Sequence, residues 1–461
     1  MIDDFGQLTK IIRCFISSYL QAMENRTLLL RTPMGKSSLG FGETRLCHAT
    51  VDTSHMTNLF EKVIDPMLRS LHVEANKSPL VRALYGGGEG VTTMDGITFY
   101  ISVQHSKHSN VQTQVEGATL LRGRSRDDQM SFVTKDLAPS FTISYKTKLA
   151  SERRAGAIVD KLMNETETML DRAKIKQAFY ANNDGTGIFA LVNDATPNTK
   201  TTVTLDTVRG TDITHILNVG DSIMASGTGE QVAGTGTPLT VASIDSATQI
   251  SVDETTANMA DDDTLHDSEA YNIAGSVYTP KNGVDGLLIT SGTLQGLALS
   301  TRAYLKTNEE TTSEAITELR VLEYLQKADP RVKDTSEFMI TMGNLWYKFV
   351  TLLRGTAYSH VDPGAASKLF VGGGKNLKME WFNGSAPVVH DPFCRTGYVL
   401  GIDMNQFGYK QLAPLHLIED ASQLAHRITQ KTEYEVVAFE SGNFYVIDPK
   451  ACFKLTGKTV S

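Results

Sequence analysis

The sequence predicts an α+β chain of several units, and three features of its 461 residues carry that prediction. One helical pattern at 151–182 is unusually long, residues from about 200 to 278 turn to Thr, Ser, Asp and Gly in period-two runs, and beyond Gly283 helix and strand patterns alternate. A domain takes roughly 100 to 200 residues, so three or more units are expected.

The long helix has an N-cap candidate in Ser151 and places Ala155, Ile158, Val159, Leu162, Thr166, Met169, Leu170, Ala173, Gln177 and Tyr180 on one stripe. Glu165, Glu167, Asp171 and Lys174 fall on the other side, which predicts a spine buried on one side only. Asn182, Asn183, Asp184 and Gly185 stop it. At 1.5 Å per residue such a helix is about 45 Å long, well beyond the usual globular length.

Upstream, Leu8, Ile11, Ile12, Phe15, Ile16, Tyr19, Leu20 and Met23 recur at helical spacing and predict an amphipathic arm. From Ile97 to Tyr145 the chain reads as a long two-stranded ribbon, ITFYISV at one end and SFTISY at the other, around a polar middle. An isolated hairpin is marginal in water, so this ribbon must rest on something else. A partner subunit and a larger sheet of the same chain both satisfy that requirement.

In the Thr/Ser/Asp/Gly region, TTVTL, PLTVASI and QISV lie between turn residues and predict a small β-barrel or sandwich, inserted between Pro197 and Pro280. Farther on, Thr311 and Glu314 have capping-box spacing ahead of Ile316, Leu319, Leu322 and Leu325, and Asp329 with Pro330 ends that helix. The strand FMIT leads into a helix carrying Leu345, Trp346, Phe349, Leu352 and Leu353, followed by the strand-like NLKMEWF, PVVH and TGYVLGI. At the end, YEVVAF and NFYVID read as a hairpin closing on Gly442.

Composition narrows the function classes. Apolar residues make up 41% and charged residues 21%, the balance of a folded globular chain. A net charge of −8 supplies no broad electrostatic grip on nucleic acid. Cys14, Cys47, Cys394 and Cys452 are dispersed without a CxxC pair, which fits a reducing compartment rather than a disulfide scaffold or zinc site. No apolar run reaches the roughly 18 residues of a membrane span, and the amino terminus is too polar for a signal peptide.

Motifs with catalytic or ligand chemistry fail on spacing. Gly35, Lys36 and Ser37 suggest a phosphate loop, but Leu30 stands where its first glycine belongs. Gly86, Gly87, Gly88 and Gly90 end on Val91 rather than the last glycine of a dinucleotide turn, and read as a joint at the ribbon's base. His105 and His108 would face opposite sides of a strand. Asp261, Asp262, Asp263, Asp267 and Glu269 match no EF-hand spacing and read as a solvated acidic turn. No catalytic residue, cofactor or metal is expected, and the chain reads as a non-enzyme. At the polar tip of the ribbon, Arg122, Arg124, Arg126, Asp127 and Asp128 mix both signs, which suits ion pairing across a protein interface. A solvated loop has the same composition.

The order of parts resembles the major capsid proteins of tailed bacteriophages. The 97–145 ribbon, the 151–182 helix with GIFAL behind it, FMITMGNLWYKF, APVVHDPFCRTGYVLGIDMNQF and EYEVVAFESGNFYVIDPKA carry the likeness. It implies an amino-terminal arm and adjoining region at 1–85, an extended β loop at 86–148, and a peripheral domain with the spine helix at 149–196. An inserted all-β domain at 197–280, an axial α/β domain at 281–430 and closing strands of the peripheral domain at 431–461 complete the division. The implied function is self-assembly, as pentamers and hexamers, into an icosahedral head shell that encloses double-stranded DNA without sequence-specific binding. The chain would be a virion protein, assembled in the host cytoplasm, with scaffolding, portal and decoration proteins as partners and no membrane. Some family members weld subunits through a lysine in the extended loop; here no lysine occurs between Lys107 and Lys135, so noncovalent locking is expected. Two other readings compete. One is a nanocompartment shell enclosing cargo enzymes, although such shells are usually shorter. The other is a multidomain enzyme with the β unit as an accessory domain.

Overall fold

Among the described residues Ser78 and Pro79 open the first helix, α1 (Pro79–Gly86), in which Ser78 Oγ accepts the Val81 N–H at 3.4 Å and Pro79, having no N–H to satisfy, begins the turn. The computed structural model describes residues 78–86, 93–106, 126–144, 155–194, 201–208, 212–226, 239–253, 259–267, 271–272, 277–278, 280–332, 337–357, 378–381, 384–418, 426–427 and 433–460. The Leu8–Met23 arm lies outside them, as do Gly87, Gly88 and Gly90.

After α1, β1 (Thr93–Asp95) turns through Gly96, at φ 60°, into β2 (Thr98–Ser106), which pairs antiparallel with β3 (Arg126–Val133). The partner of ITFYISV is therefore RDDQMSFV. The expected partner, SFTISY, instead contributes β5 (Ser140–Ser144), which with β4 (Lys135–Leu137) joins another sheet. Pro139, unable to donate a ladder hydrogen bond, separates β4 from β5.

The spine is α2 (Ala155–Asn182), a helix of 28 residues. Thr166, Met169, Leu170, Ala173, Gln177 and Tyr180 of the expected stripe are all buried. Lys174 departs from expectation: it is only 8% exposed. The reason is that the second half of the helix is covered on two sides, with Ala178 and Ala181 in the main core and Phe179 and Tyr180 in the barrel core. One-sided burial thus describes the helix around Glu167 and Asp171, which are exposed, and not its last turns.

Six strands form a closed barrel: β6 (Ala190–Val192), β7 (Thr202–Val208), β8 (Ser222–Ser226), β9 (Leu239–Ser246), β10 (Gln249–Val252) and β11 (Thr264–Asp267). Period-two alternation fills it, with Val203, Leu205, Ile223, Ala225, Val241, Ile250, Val252 and Leu265 inside. Its first strand comes from GIFAL, upstream of Pro197. A short pair, β12 (Tyr271–Asn272) and β13 (Val277–Tyr278), follows.

Burial holds the His266 imidazole neutral, with a pKa pushed down from 6.5 to about 4. An unfolded chain takes up that proton near pH 6.5, whereas the fold resists it until about pH 4, so stability is complete above pH 6.5 and falls as pH drops through that window. A pH titration of unfolding free energy should lose about 2–3 kcal/mol across it, and His266→Gln should flatten the loss.

A helical turn, α3 (Val284–Leu287), brings the chain out of the insertion, and a tight hairpin, β14 (Thr293–Leu294) with β15 (Leu297–Ala298), comes next. Then come β16 (Asn308–Glu310), β17 (Glu314–Ala315), α4 (Glu318–Ala328), β18 (Phe338–Met342), α5 (Trp346–Ala357), β19 (Lys378–Trp381), β20 (Gly384–His390) and β21 (Val399–Asp403). The N-cap of α4 is Thr317, whose side chain accepts the Arg320 N–H. Thr311 and Glu314 form no capping box, because Glu314 lies in β17 and pairs with Lys458 and Arg320. The buried face of α4 is accordingly Val321, Tyr324, Leu325 and Ala328, while Leu319 is 76% exposed.

The chain ends with β22 (Phe407–Leu417), β23 (His426–Arg427), β24 (Glu433–Val446), β25 (Phe453–Leu455) and β26 (Lys458–Thr459). The expected hairpin at Gly442 is instead one strand of 14 residues, β24, which pairs with β22, β23, β4 and β5. Gly442 serves close approach: a Cβ there would lie 2.6 Å from Tyr409 Oη and 2.8 Å from Lys410 O.

A six-stranded mixed sheet, in the order β16-β25-β21-β18-β20-β19, separates two cores. Phe338, Ile340, Met342, Val399, Phe453 and Leu455 face α4 and α5. Met339, Leu400, Ile402 and Cys452 face the main core, which also holds α1, the inner side of the ribbon and the last turns of α2. Each large apolar side chain so buried contributes about 1.5–3 kcal/mol.

Candidate functional site

The ribbon is the candidate assembly site, and its geometry follows from period two. On the inner face Phe99, Ile101, Val103, Met130 and Phe132 are buried; Phe99 and Phe132 stack at 5.4 Å, and Phe132 stacks on Tyr445 of β24 at 5.3 Å. The outer face carries Ile97, 58% exposed, and Val133, 42% exposed. Beyond Val103 and Met130 the pair loses its cover, since Gln104, Arg126 and Asp127 are all exposed.

Hydrogen bonds fasten the covered half to the body. The Ser131 N–H donates to Gln295 O at 2.9 Å, and Asn443 Nδ2 donates to Val133 O at 2.8 Å. The Asp128 carboxylate accepts from Arg302 Nε at 2.9 Å and from the Tyr304 hydroxyl. Burial, with help from Asp128, pushes the Tyr304 hydroxyl pKa up to about 12. The hydrogen bond to Asp128 raises that of Arg302. The carboxylate is thus held by two donors that keep their protons at any ordinary pH.

Of the five charged residues singled out in the sequence, Asp128 is engaged within its own chain, Arg126 and Asp127 are exposed on β3, and Arg122 and Arg124 lie outside the described residues. Sequence reasoning did not identify Arg302 and Tyr304, because they lie more than 170 residues from Asp128. Two of the discounted aspartates, Asp261 and Asp263, accept the backbone N–H groups of Asp194 and Ala260. Among the described residues no group of three or more His, Cys, Asp or Glu side chains could hold a metal ion, and no helix is long and apolar enough to cross a membrane.

The sequence matches no family model and no curated protein. Among solved structures, the chain is similar to the Cyanophage A-1(L) capsid asymmetric unit, at 9% identity and TM-score 0.44, over 92% of this chain and 97% of that one. The capsid of the native GTA particle matches at 10% identity and TM-score 0.40, over 93% of this chain and 96% of the other. A virus-like particle from Pyrococcus furiosus matches at 9% identity and TM-score 0.34, over 85% and 99%.

Proposed function

We propose that the chain is the major subunit of an icosahedral shell that encloses double-stranded DNA, built from copies of itself as pentamers and hexamers. The ribbon carries this reading. Its base is buried and hydrogen-bonded, its two strands emerge uncovered at Gln104, Arg126 and Asp127, and the connecting run 107–125 holds Arg122 and Arg124. A polar two-stranded arm gains order from a second surface, and an adjoining copy supplies one at every position of a shell. Head-to-tail contacts of this kind close into rings around rotation axes. Arg122, Arg124, Arg126 and Asp127 are the proposed contact, with Asp128 retained by Arg302 and Tyr304 to set the angle of the arm. A net charge of −8 suits a wall that does not adhere to the phosphates inside it. Scaffolding, portal and decoration proteins are the proposed partners, and the virion, assembled in host cytoplasm, is the proposed location.

Electron microscopy and sizing chromatography of the purified chain test the proposal. Hollow shells or five- and six-membered rings are expected, with nuclease-protected DNA inside particles taken from their native source. A small soluble oligomer would contradict the shell. Protein cargo in place of DNA would contradict its contents.

A further inference from the structure

Between the spine, the exit from the barrel and the closing strand lies a closed polar pocket with a lysine at its centre. Lys281 Nζ is 3.2 Å from Glu440 Oε2 and donates to Tyr409 Oη at 2.5 Å and to Gln177 Oε1 at 3.1 Å. The two charged side chains are 1% and 0% exposed. The second oxygen of Glu440 accepts from Tyr85 at 2.8 Å, Tyr409 at 2.7 Å and Gln411 at 3.2 Å. Burial lowers the Lys281 pKa, against the opposing pull of Glu440 and of Asp136, which eases loss of its proton. Gln177 is itself fully buried, and its Nε2 makes no hydrogen bond among the described residues.

A primary amine, a carboxamide one bond beyond the oxygen it touches, and a carboxylate in reach of the amine are the components of a transamidation. We propose that this pocket is the site of an intrachain isopeptide bond between Lys281 Nζ and Gln177 Cδ, with Glu440 as the proton acceptor. Glu440 takes a proton from the Lys281 ammonium, directly or through Tyr409. The Nζ lone pair then attacks Cδ, and the carbonyl pair moves onto Oε1. A second Nζ proton passes through Glu440 to Nε2, the Cδ–Nε2 bond breaks as the carbonyl re-forms, and ammonia leaves. Nothing is oxidised or reduced, and no co-reactant is required. Holding both groups in one pocket makes the encounter intramolecular and removes its translational cost. The new bond ties the spine to the strand that leaves the insertion, so residues 177–281, barrel included, become a covalently closed loop. Because the bond lies within one chain, the subunit still runs as a monomer on a denaturing gel, and the proposal stands apart from the shell reading.

Intact-mass spectrometry of the purified full-length folded chain tests it without any variant. The expected mass is below the sequence value by one ammonia. Trypsin does not cut after an acylated lysine, so a branched peptide joining 177–200 to 210–302 should appear. Glu440→Gln should restore the full mass and abolish the branched peptide. A full sequence mass with free Lys281 in the folded wild-type chain would overturn the proposal, as would ammonia loss without that branched peptide.

Discussion

Gly283→Ala is expected to abolish most of the soluble folded protein. A Cβ at this position would fall inside the van der Waals shells of Asn183 O and Tyr180 O, carbonyls at the end of α2. Neither neighbour is a flexible side chain that can swing aside; both are backbone of the spine's last turn. Gly286 repeats the situation against the Asp184 backbone, and its N–H lies 3.4 Å from Asn183 O. The chain leaving the insertion therefore passes over the chain entering it with no room for a side chain between them. Overpacking a tight site costs about 1–3 kcal/mol when side chains can adjust, and a backbone clash exceeds that range. Against a total stability of roughly 5–15 kcal/mol, the loss is large. Urea unfolding midpoints and soluble yield would record it, with Gly96→Ala as comparison, since a Cβ there meets nothing. That control should cost only about 1 kcal/mol, for its left-handed backbone.

The second large effect is expected at Asp285, two residues on. Its buried carboxylate pairs with Arg395 Nη1 at 2.6 Å and Lys454 Nζ at 3.1 Å, and Lys454 also reaches Glu309 at 3.3 Å. This group ties the exit from the insertion to β25, the strand next to the β16 edge of the six-stranded sheet. Asp285→Ala would leave Lys454 with only Glu309 and Arg395 with only Asp184, 3.9 Å away, and breaking a buried pair by removing one partner costs roughly 3–5 kcal/mol. Asp285→Asn keeps the shape and removes the charge, so most of the same loss should remain. Chemical denaturation of both variants checks this: a change below about 1 kcal/mol in each would show the pair to be worth no more than a surface bridge.

What the sequence made legible was whatever depends on near neighbours. The stripe through Thr166, Met169, Leu170, Ala173, Gln177 and Tyr180 is buried because helical periodicity is a local property, and TTVTL, PLTVASI and QISV became barrel strands for the same reason. Lys174 was misplaced because the last turns of the helix are covered on two sides by segments distant in the chain, which no helical wheel contains. The turn expected at Gly442 rested on reading glycine as a bend; in β24 its missing side chain makes room for the Tyr409 ring. SFTIS met its partner nearly 300 residues later, a pairing that β-propensity cannot specify. The candidate site divided along the same line. Asp128 found Arg302 and Tyr304 at long range, whereas Arg126 and Asp127 remained exposed as a polar tip predicts. The pocket around Lys281 draws on residues 85, 177, 409, 411 and 440, each unremarkable in its own stretch of sequence.

The central claim is that the arm formed by β2 and β3 lies on an adjoining copy of the chain. A cryo-electron microscopy map of assembled particles tests it directly, by tracing 107–125 from the ends of the two strands. The account predicts density for that run along the neighbouring subunit, with Arg122, Arg124, Arg126 and Asp127 facing opposite charges there. Density that folds back onto its own subunit, or particles with no repeating lattice of contacts, would contradict it.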